Sequence, residues 1–186
     1  MSDPTPLLAP LKPAVCEARV WSPRGFIIDP WHYLDDGEQC PANGHAIVPL
    51  TRWRTESNLR NGPIVGVEVQ PTDVLEADLV DIARLPLVVL VFPKFTDGRA
   101  YSTARRLRGH WGYRGEIRAR GDVLLDQLPL MLGCGFDSFE IRDAATLRSL
   151  ERGYTPAVAR RYDPTGSRMR RSPISSRSQA ALAAAE

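Results

Sequence analysis

The feature that most limits the fold of this chain is an unbroken apolar run, Leu87–Phe92, that stands between two prolines. A strand with one face in a core and one face in solvent would carry a polar residue at every second position. This run carries none, and such runs are typical of parallel strands that are covered on both faces. The run therefore predicts an interior strand of a parallel sheet.

Three other segments repeat the same pattern of a strand followed by a helix. Strands are predicted at residues 64–69, 115–120 and 137–141, and the following helices are predicted to be capped by Asp73, Asp122 and Asp143. Right-handed crossovers between such units place their strands in parallel. Because a closed barrel needs eight units, four consecutive βα units predict an open parallel sheet or half-barrel of the α/β class.

The segments on either side of these repeats have a different composition. Residues 25–29 and 46–50 are predicted to be short strands that cap one edge of the sheet. The predicted organisation has three parts: a flexible, proline-rich N-terminal arm (residues 1–19), a single α/β domain (residues 20–155, with a short N-terminal β-rich extension at 20–60 and βα repeats at 63–155) and a disordered tail rich in Arg, Ser and Ala (residues 156–186).

Composition excludes several classes of protein. The net charge of +2 is too small to indicate a nucleic-acid partner, and the longest apolar run is far shorter than the ~20 residues of a membrane span. No signal peptide is predicted, so a cytoplasmic protein without a membrane partner is expected. The three cysteines and three histidines lack metal-ligand spacing, and no cofactor motif is evident. Nothing in the sequence indicates the oligomeric state.

The strand predicted at 115–120 has one polar face. Its alternation places Glu116, Arg118 and Arg120 on one side and Ile117 and Ala119 on the other. A parallel strand covered on both faces should not have this polar side. The polar side therefore meets solvent, a lumen or a partner, and both an edge strand with a solvated face and a functional face remain open.

Ligands in sheets of this kind gather where strands end and helices begin, and the partial positive charge of helix N-termini there favours anions. The predicted site contains the anion-binding candidates Lys94, Arg99, Arg118 and Arg120 and the polar partners Asp97, Asp122, Asp126 and Gln127. All except Asp126 and Gln127 are predicted to converge at one end of the sheet. The structural alternatives are helix capping by Asp122 and ion pairing of the arginines with the acids. No catalytic residue and no metal ligand is assigned.

The chain resembles domain of unknown function family 934 in four stretches: residues 92–102 (FPKFTDGRAYS), 112–124 (GYRGEIRARGDVL), 126–127 (DQ) and 134–137 (CGFD). The resemblance covers roughly residues 25–150. Members of this bacterial family carry the label of oxidoreductases of sulfite reduction. The resemblance therefore implies a role in assimilatory sulfate and sulfite reduction in the cytosol, but it implies no active-site residues.

Three functions are consistent with the residues and the resemblance. The first is an accessory protein of assimilatory sulfite or sulfate reduction that binds sulfite reductase or a small oxyanion. The second is an oxidoreductase-type enzyme of the same pathway with its site at the loops after the strands. The third is a non-catalytic structural scaffold. A bound chromophore would favour the enzyme.

Overall fold

The computed structural model describes residues 18–35, 37–40, 45–61 and 64–156, so nearly all of the predicted arm and tail lies outside the described residues. The described strands are β1 (Arg19–Ser22), β2 (Gly25–Phe26), β3 (Trp31–Tyr33), β4 (His45–Pro49), β5 (Val65–Val69), β6 (Leu87–Phe92), β7 (Glu116–Gly121) and β8 (Ser138–Ile141). The described helices are α1 (Leu50–Thr55), α2 (Ser57–Asn61), α3 (Leu79–Ile82), α4 (Arg99–Gly109), α5 (Leu128–Cys134) and α6 (Ala144–Glu151).

The eight strands form one mixed sheet in the order β2-β1-β8-β7-β6-β5-β4-β3. Strands β3 to β8 are parallel neighbours, whereas β1 is antiparallel to both β8 and β2. The prediction of a purely parallel sheet is therefore wrong, because β1 and β2 are joined by a two-residue hairpin turn, which only antiparallel strands can share. The N-terminal strands also extend both edges of the sheet, and not one edge as predicted.

The order of the strands requires the sheet to curl. β2 and β3 lie at opposite edges, yet only four residues, 27–30, connect them. The five Cα–Cα steps from Phe26 to Trp31 span at most about 19 Å, while eight strands in a flat sheet would span about 34 Å. The sheet is accordingly a half-barrel, and residues 27–30, called the closing segment below, connect its two edges.

The outer face of the half-barrel is apolar and faces the helices. Alternation from the observed register places Val67, Leu90, Ala119 and Phe139 on this face, and all belong to one large core cluster. Helices α4 and α5 contact each other over this core, and α4 also contacts β6. The outer face is thus the hydrophobic core of the domain.

The opposite, inner face holds a second and smaller apolar cluster. Ile47, Leu87 and Val89 form it, and Trp31 and Tyr33 pack against it. Both faces of β6 are therefore buried, as its unbroken apolar run predicts.

The predicted helix starts have different outcomes. Asp143 caps α6 as predicted, since its Oδ2 accepts a hydrogen bond from the Thr146 N–H at 2.7 Å. Asp73 caps no helix; its carboxylate accepts from the Gln70 N–H in a turn, and α3 is only four residues long. Asp122 is also not a helix cap, because a 3₁₀ turn over Leu125–Gln127 precedes α5.

The predicted strand positions agree with the observed bounds more closely than the predicted helices do. The strands at 64–69, 115–120 and 137–141 correspond to β5, β7 and β8 within one residue at either end. The strand predicted at 25–29 is shorter, because β2 ends at Phe26 and the chain then leaves the sheet as the closing segment. Strands β1 and β3 were not predicted; both are shorter than five residues.

Candidate functional site

The inner face of the half-barrel carries a network of charged side chains beside its apolar cluster. The network on this face is formed by Tyr33, Glu68, Glu116, Arg118, Arg120, Ser138 and Glu140. β7 lies between β6 and β8 and is not an edge strand. Of the alternatives for its polar side, the solvated edge strand is therefore wrong, and the charged side faces the interior of the half-barrel.

Arg118 is the centre of the first part of this network, with only 1% of its side chain exposed. Its two terminal nitrogens donate to the two carboxylate oxygens of Asp29 at 2.7 and 3.0 Å. Nη2 also donates to Glu116 at 3.0 Å, and Nε donates to Ser138 Oγ at 3.3 Å. Because Asp29 belongs to the closing segment, this bidentate pair holds the closing segment against the inner face.

Arg120 is the centre of the second part. Its guanidinium donates to Glu68, lies 3.6 Å from the ring centroid of Tyr33, and has its Nε 3.6 Å from Glu140 Oε2. The Tyr33 hydroxyl donates to Glu140 Oε1. Tyr33 is on β3 and Glu140 is on β8, so this hydrogen bond joins strands that are five positions apart in the sheet. It is possible only because the sheet curls.

Burial alters the protonation of this network. It raises the pKa of the Glu140 carboxyl, although the Tyr33 hydroxyl and Arg120 act in the opposite direction. Burial, together with the Glu140 carboxylate, also raises the pKa of the Tyr33 hydroxyl. Burial alone would lower the pKa of Arg118 and of Arg120, but their anionic neighbours raise both. Two guanidinium groups thus face four carboxylates, and a proton on Glu140 would reduce the excess of negative charge.

The other predicted residues lie in the loops and not in this network. Lys94 and Asp126 are exposed. Arg99 donates to both carboxylate oxygens of Asp97, at 3.0 and 2.7 Å, and these bonds lower the pKa of Asp97 to about 2. By their contacts the predicted residues fall into two groups. One lies on the inner face, and the other lies in the loop after β6 and in the segment after β7 that contacts this loop. In the described part of the chain, Arg118 and Arg120 make all their ion pairs with residues outside the predicted set.

Asp122 and Gln127, which follow β7, both form hydrogen bonds with the backbone of Phe95 in the loop after β6. Asp122 Oδ2 accepts a hydrogen bond from the Phe95 N–H at 2.9 Å, and Gln127 Nε2 donates to the Phe95 carbonyl at 2.8 Å. Gly121 makes this possible, because its φ is +105° and a Cβ there would lie 2.2 Å from the Phe92 carbonyl oxygen. The Phe95 ring nevertheless stays 52% exposed. The loop after β6 therefore presents an aromatic side chain from a backbone that is held in place.

The profile of domain of unknown function family 934, described as bacterial protein of unknown function, matches residues 66–172, which is more than half of the 186 residues. The chain belongs to this family. Comparison with curated proteins and with solved structures gave no significant match.

Several family 934 motif residues have a structural role in this chain. The guanidinium of Arg108 donates to the carbonyls of Gly135, Tyr113 and Gly115 at 3.0, 2.8 and 2.7 Å. It also pairs with Asp137, which accepts the Ile117 N–H at 2.9 Å. These contacts join α4 to the starts of β7 and β8. A Cβ at Gly115 would lie 2.2 Å from the Tyr113 hydroxyl oxygen, and one at Gly135 would lie 2.5 Å from Arg108 Cγ, so packing accounts for both glycines without a ligand.

Cys134 of the same motif is fully buried at the end of α5, in the large core cluster. Within the described ranges no group of three or more His, Cys, Asp or Glu residues is arranged to hold a metal ion. None of the helices in those ranges is long and apolar enough to cross a membrane.

Sequence reasoning did not identify four residues of the inner-face network: Asp29, Tyr33, Glu68 and Glu140. Two of them carried a signal that could have been used. Glu68 is the one charged residue of β5, and Glu140 is the one charged residue of β8. A polar residue in a strand that is otherwise covered indicates a partner on the same face, and β5, β7 and β8 lie close together in the sheet.

Proposed function

We propose that this family 934 protein is a cytoplasmic accessory protein of assimilatory sulfite and sulfate reduction, and that it acts by binding sulfite reductase. The pathway comes from the resemblance of residues 92–102 and 112–124 to the family's motifs. The mode of action, binding of a partner protein, is inferred from the loop after β6. The proposal requires neither a cofactor nor a catalytic group of the chain itself.

The observation that carries the proposal is the exposed ring of Phe95 on a backbone that is held in place. Hydrogen bonds from Asp122 and Gln127 hold both the N–H and the carbonyl of this residue, so little backbone entropy remains to be lost on binding. Aromatic side chains that enter a pocket of a partner contribute a large share of the binding energy in protein interfaces. The neighbouring Lys94 is exposed and adds a positive charge. We therefore expect an apolar pocket with an acidic rim on the partner.

Binding of a partner protein is better supported than binding of a small oxyanion by the predicted arginines. Arg99, Arg118 and Arg120 are each already paired with carboxylates. A sulfite or sulfate ion would have to displace these carboxylates, and a buried carboxylate that loses its partner costs several kcal/mol. The inner face also carries more acids than guanidinium groups, which disfavours an anion there.

The test is direct binding of purified sulfite reductase from the same organism to the immobilised full-length chain, measured by interferometry. Phe95→Ala should weaken binding roughly 30-fold, the equivalent of about 2 kcal/mol for an interface hot spot. The matched control is Val80→Ala. Val80 is also apolar and 73% exposed, but it lies in α3, which precedes β6, whereas Phe95 follows β6. The control should bind like the wild type.

Two results would contradict the proposal. If the wild type does not bind sulfite reductase, this enzyme is not the partner. If Phe95→Ala and Val80→Ala bind equally well, the loop after β6 is not the binding surface. The melting midpoints of both variants should remain close to that of the wild type, which shows that any loss is a loss of contact and not of folding.

A further inference from the structure

A cavity of about 520 Å³ lies between β1, the closing segment and the end of β8. This volume is in the range of sites that hold small organic molecules. Arg142, which directly follows β8, forms part of the wall. The cavity therefore lies where parallel sheets usually bind ligands, at the carboxyl end of a strand.

The charged groups of the wall are not equivalent. Arg19 pairs with Glu151 and stacks on the ring of Phe26, with 4.0 Å between the guanidinium carbon and the ring centroid. Both oxygens of Asp29 accept hydrogen bonds from the buried Arg118. These two wall residues are therefore already neutralised by partners within the chain.

Glu140 also has partners within the chain, whereas Arg142 has no ion-pair partner among the described residues. Glu140 accepts from the Tyr33 hydroxyl with one oxygen and faces Arg120 with the other. Arg142 is exposed and makes no ion pair with any residue that the structure describes. The charge of Arg142 acts on the nearby Glu140 carboxyl, but Arg142 retains its hydrogen-bond donors for a ligand.

The remaining wall is largely apolar. Val20 is buried there, and Phe26, Ile27 and Trp31 line the cavity with partly exposed side chains. These groups can make no specific contact with an inorganic ion. They suit a hydrocarbon chain or an aromatic ring, which gains free energy when it leaves water.

We propose that this cavity binds a small organic acid whose apolar body packs against Ile27 and Trp31 and whose single carboxylate or sulfonate pairs with Arg142. A planar guanidinium suits both anionic groups because it can donate two parallel hydrogen bonds to them. An organic cation is disfavoured because Asp29 and Glu140 are already occupied. The proposal is independent of the binding of sulfite reductase, since it involves other residues and another surface.

The test uses three probes with the same eight-carbon chain: octanoate, octanol and octylammonium. Calorimetric titration of the full-length chain at low salt should give saturable one-to-one binding of octanoate, at least about tenfold tighter than that of either other probe. Arg142→Gln should weaken octanoate binding about tenfold or more, in line with the loss of a hydrogen bond to a charged group. The same variant should leave the binding of octanol unchanged.

The matched control is Arg148→Gln. Arg148 is an exposed arginine of α6 that does not line the cavity. It should bind octanoate like the wild type. Tighter binding of octylammonium than of octanoate, equal octanoate binding by the two arginine variants, or no saturable binding of octanoate would each overturn the proposal. An unchanged melting midpoint of Arg142→Gln confirms that the variant is folded.

Discussion

The two faces of strand β7 are both buried, but they are buried in different ways. Ile117 and Ala119 face the helices and lie in a core of apolar side chains. Arg118, the residue between them, is equally buried but is surrounded by carboxylates and a serine. The outer face gains stability from the removal of apolar surface from water, whereas the inner face depends on matched hydrogen bonds and ion pairs.

This difference determines what each face specifies. Apolar contacts are not directional, so the outer face can hold helices against the sheet without fixing each partner. A buried guanidinium tolerates only a carboxylate in the correct position. The inner face therefore fixes where the closing segment and β3 lie, and so it fixes the curl of the sheet. Asp29 joins the closing segment to β7, and Tyr33 joins β3 to β8.

The largest effect is expected on the outer face. Phe139→Ala removes a fully buried ring that lies 5.8 Å from the ring of Trp21 and 6.4 Å from that of Phe136. Truncation of a buried Phe costs about 3–5 kcal/mol, because transfer energy is lost and a cavity remains. Urea denaturation should show this loss. A loss below about 1 kcal/mol would mean that this face is not the main core.

A smaller loss of stability is expected on the inner face, where the cause is a buried charge without its partner. Asp29→Ala leaves the guanidinium of Arg118 buried without its bidentate partner, although Glu116 remains. Removal of one member of a buried pair costs about 3 kcal/mol. The control is Asp35→Ala, an exposed acid near the other end of β3, which should cost at most ~0.5 kcal/mol. Equal losses in the two variants would show that Asp29 does not hold the closing segment.

The two faces should also differ in their response to pH. The folded chain retains the proton of Glu140 to a higher pH than the unfolded chain, because burial raises the pKa of this carboxyl. The contribution of Glu140 to stability is therefore present below pH 4.5 and is lost as the pH rises through the raised value. In this window, Glu140→Gln should gain stability relative to the wild type by up to about 1.4 kcal/mol per pH unit.

This prediction is measured by urea denaturation of the two proteins at a series of pH values from 4 upwards, and the exposed Asp126→Asn variant serves as the control. The free-energy difference between the control and the wild type should stay constant over the series. If the difference between Glu140→Gln and the wild type is also constant, the carboxyl is not protonated more readily in the folded chain.

The strands could be predicted from the sequence because their signals are local. The apolar run Leu87–Phe92 and the alternation of Glu116 to Arg120 depend on neighbouring residues only, and both indicate the correct faces. The long β strands were predicted for this reason. The direction of β1 could not be predicted, because it depends on which edge of the sheet its hairpin joins. That edge is determined by contacts with residues more than a hundred positions away.

The site was predictable to a smaller extent. Arg118 and Arg120 were identified as members of a polar face, but their partners Asp29 and Tyr33 come from a segment that reaches them only when the sheet curls. Asp122 and Gln127 were identified by position, and their contact with the backbone of Phe95 could not be inferred from spacing. Long-range contacts of side chains with backbone leave no periodic signal in a sequence.

The pair of Arg118 and Asp29 holds the closing segment on the inner face of the half-barrel. A double-mutant cycle with Asp29→Ala, Arg118→Met and the combined variant, measured by urea denaturation, tests this role directly. A coupling energy of about 2 kcal/mol is expected, as for residues in one buried network. The parallel cycle with the more exposed pair of Asp97 and Arg99 should show a smaller coupling, of at most about 1 kcal/mol. A coupling between Asp29 and Arg118 that is no larger than that between Asp97 and Arg99 would show that the closing segment is not held by this pair.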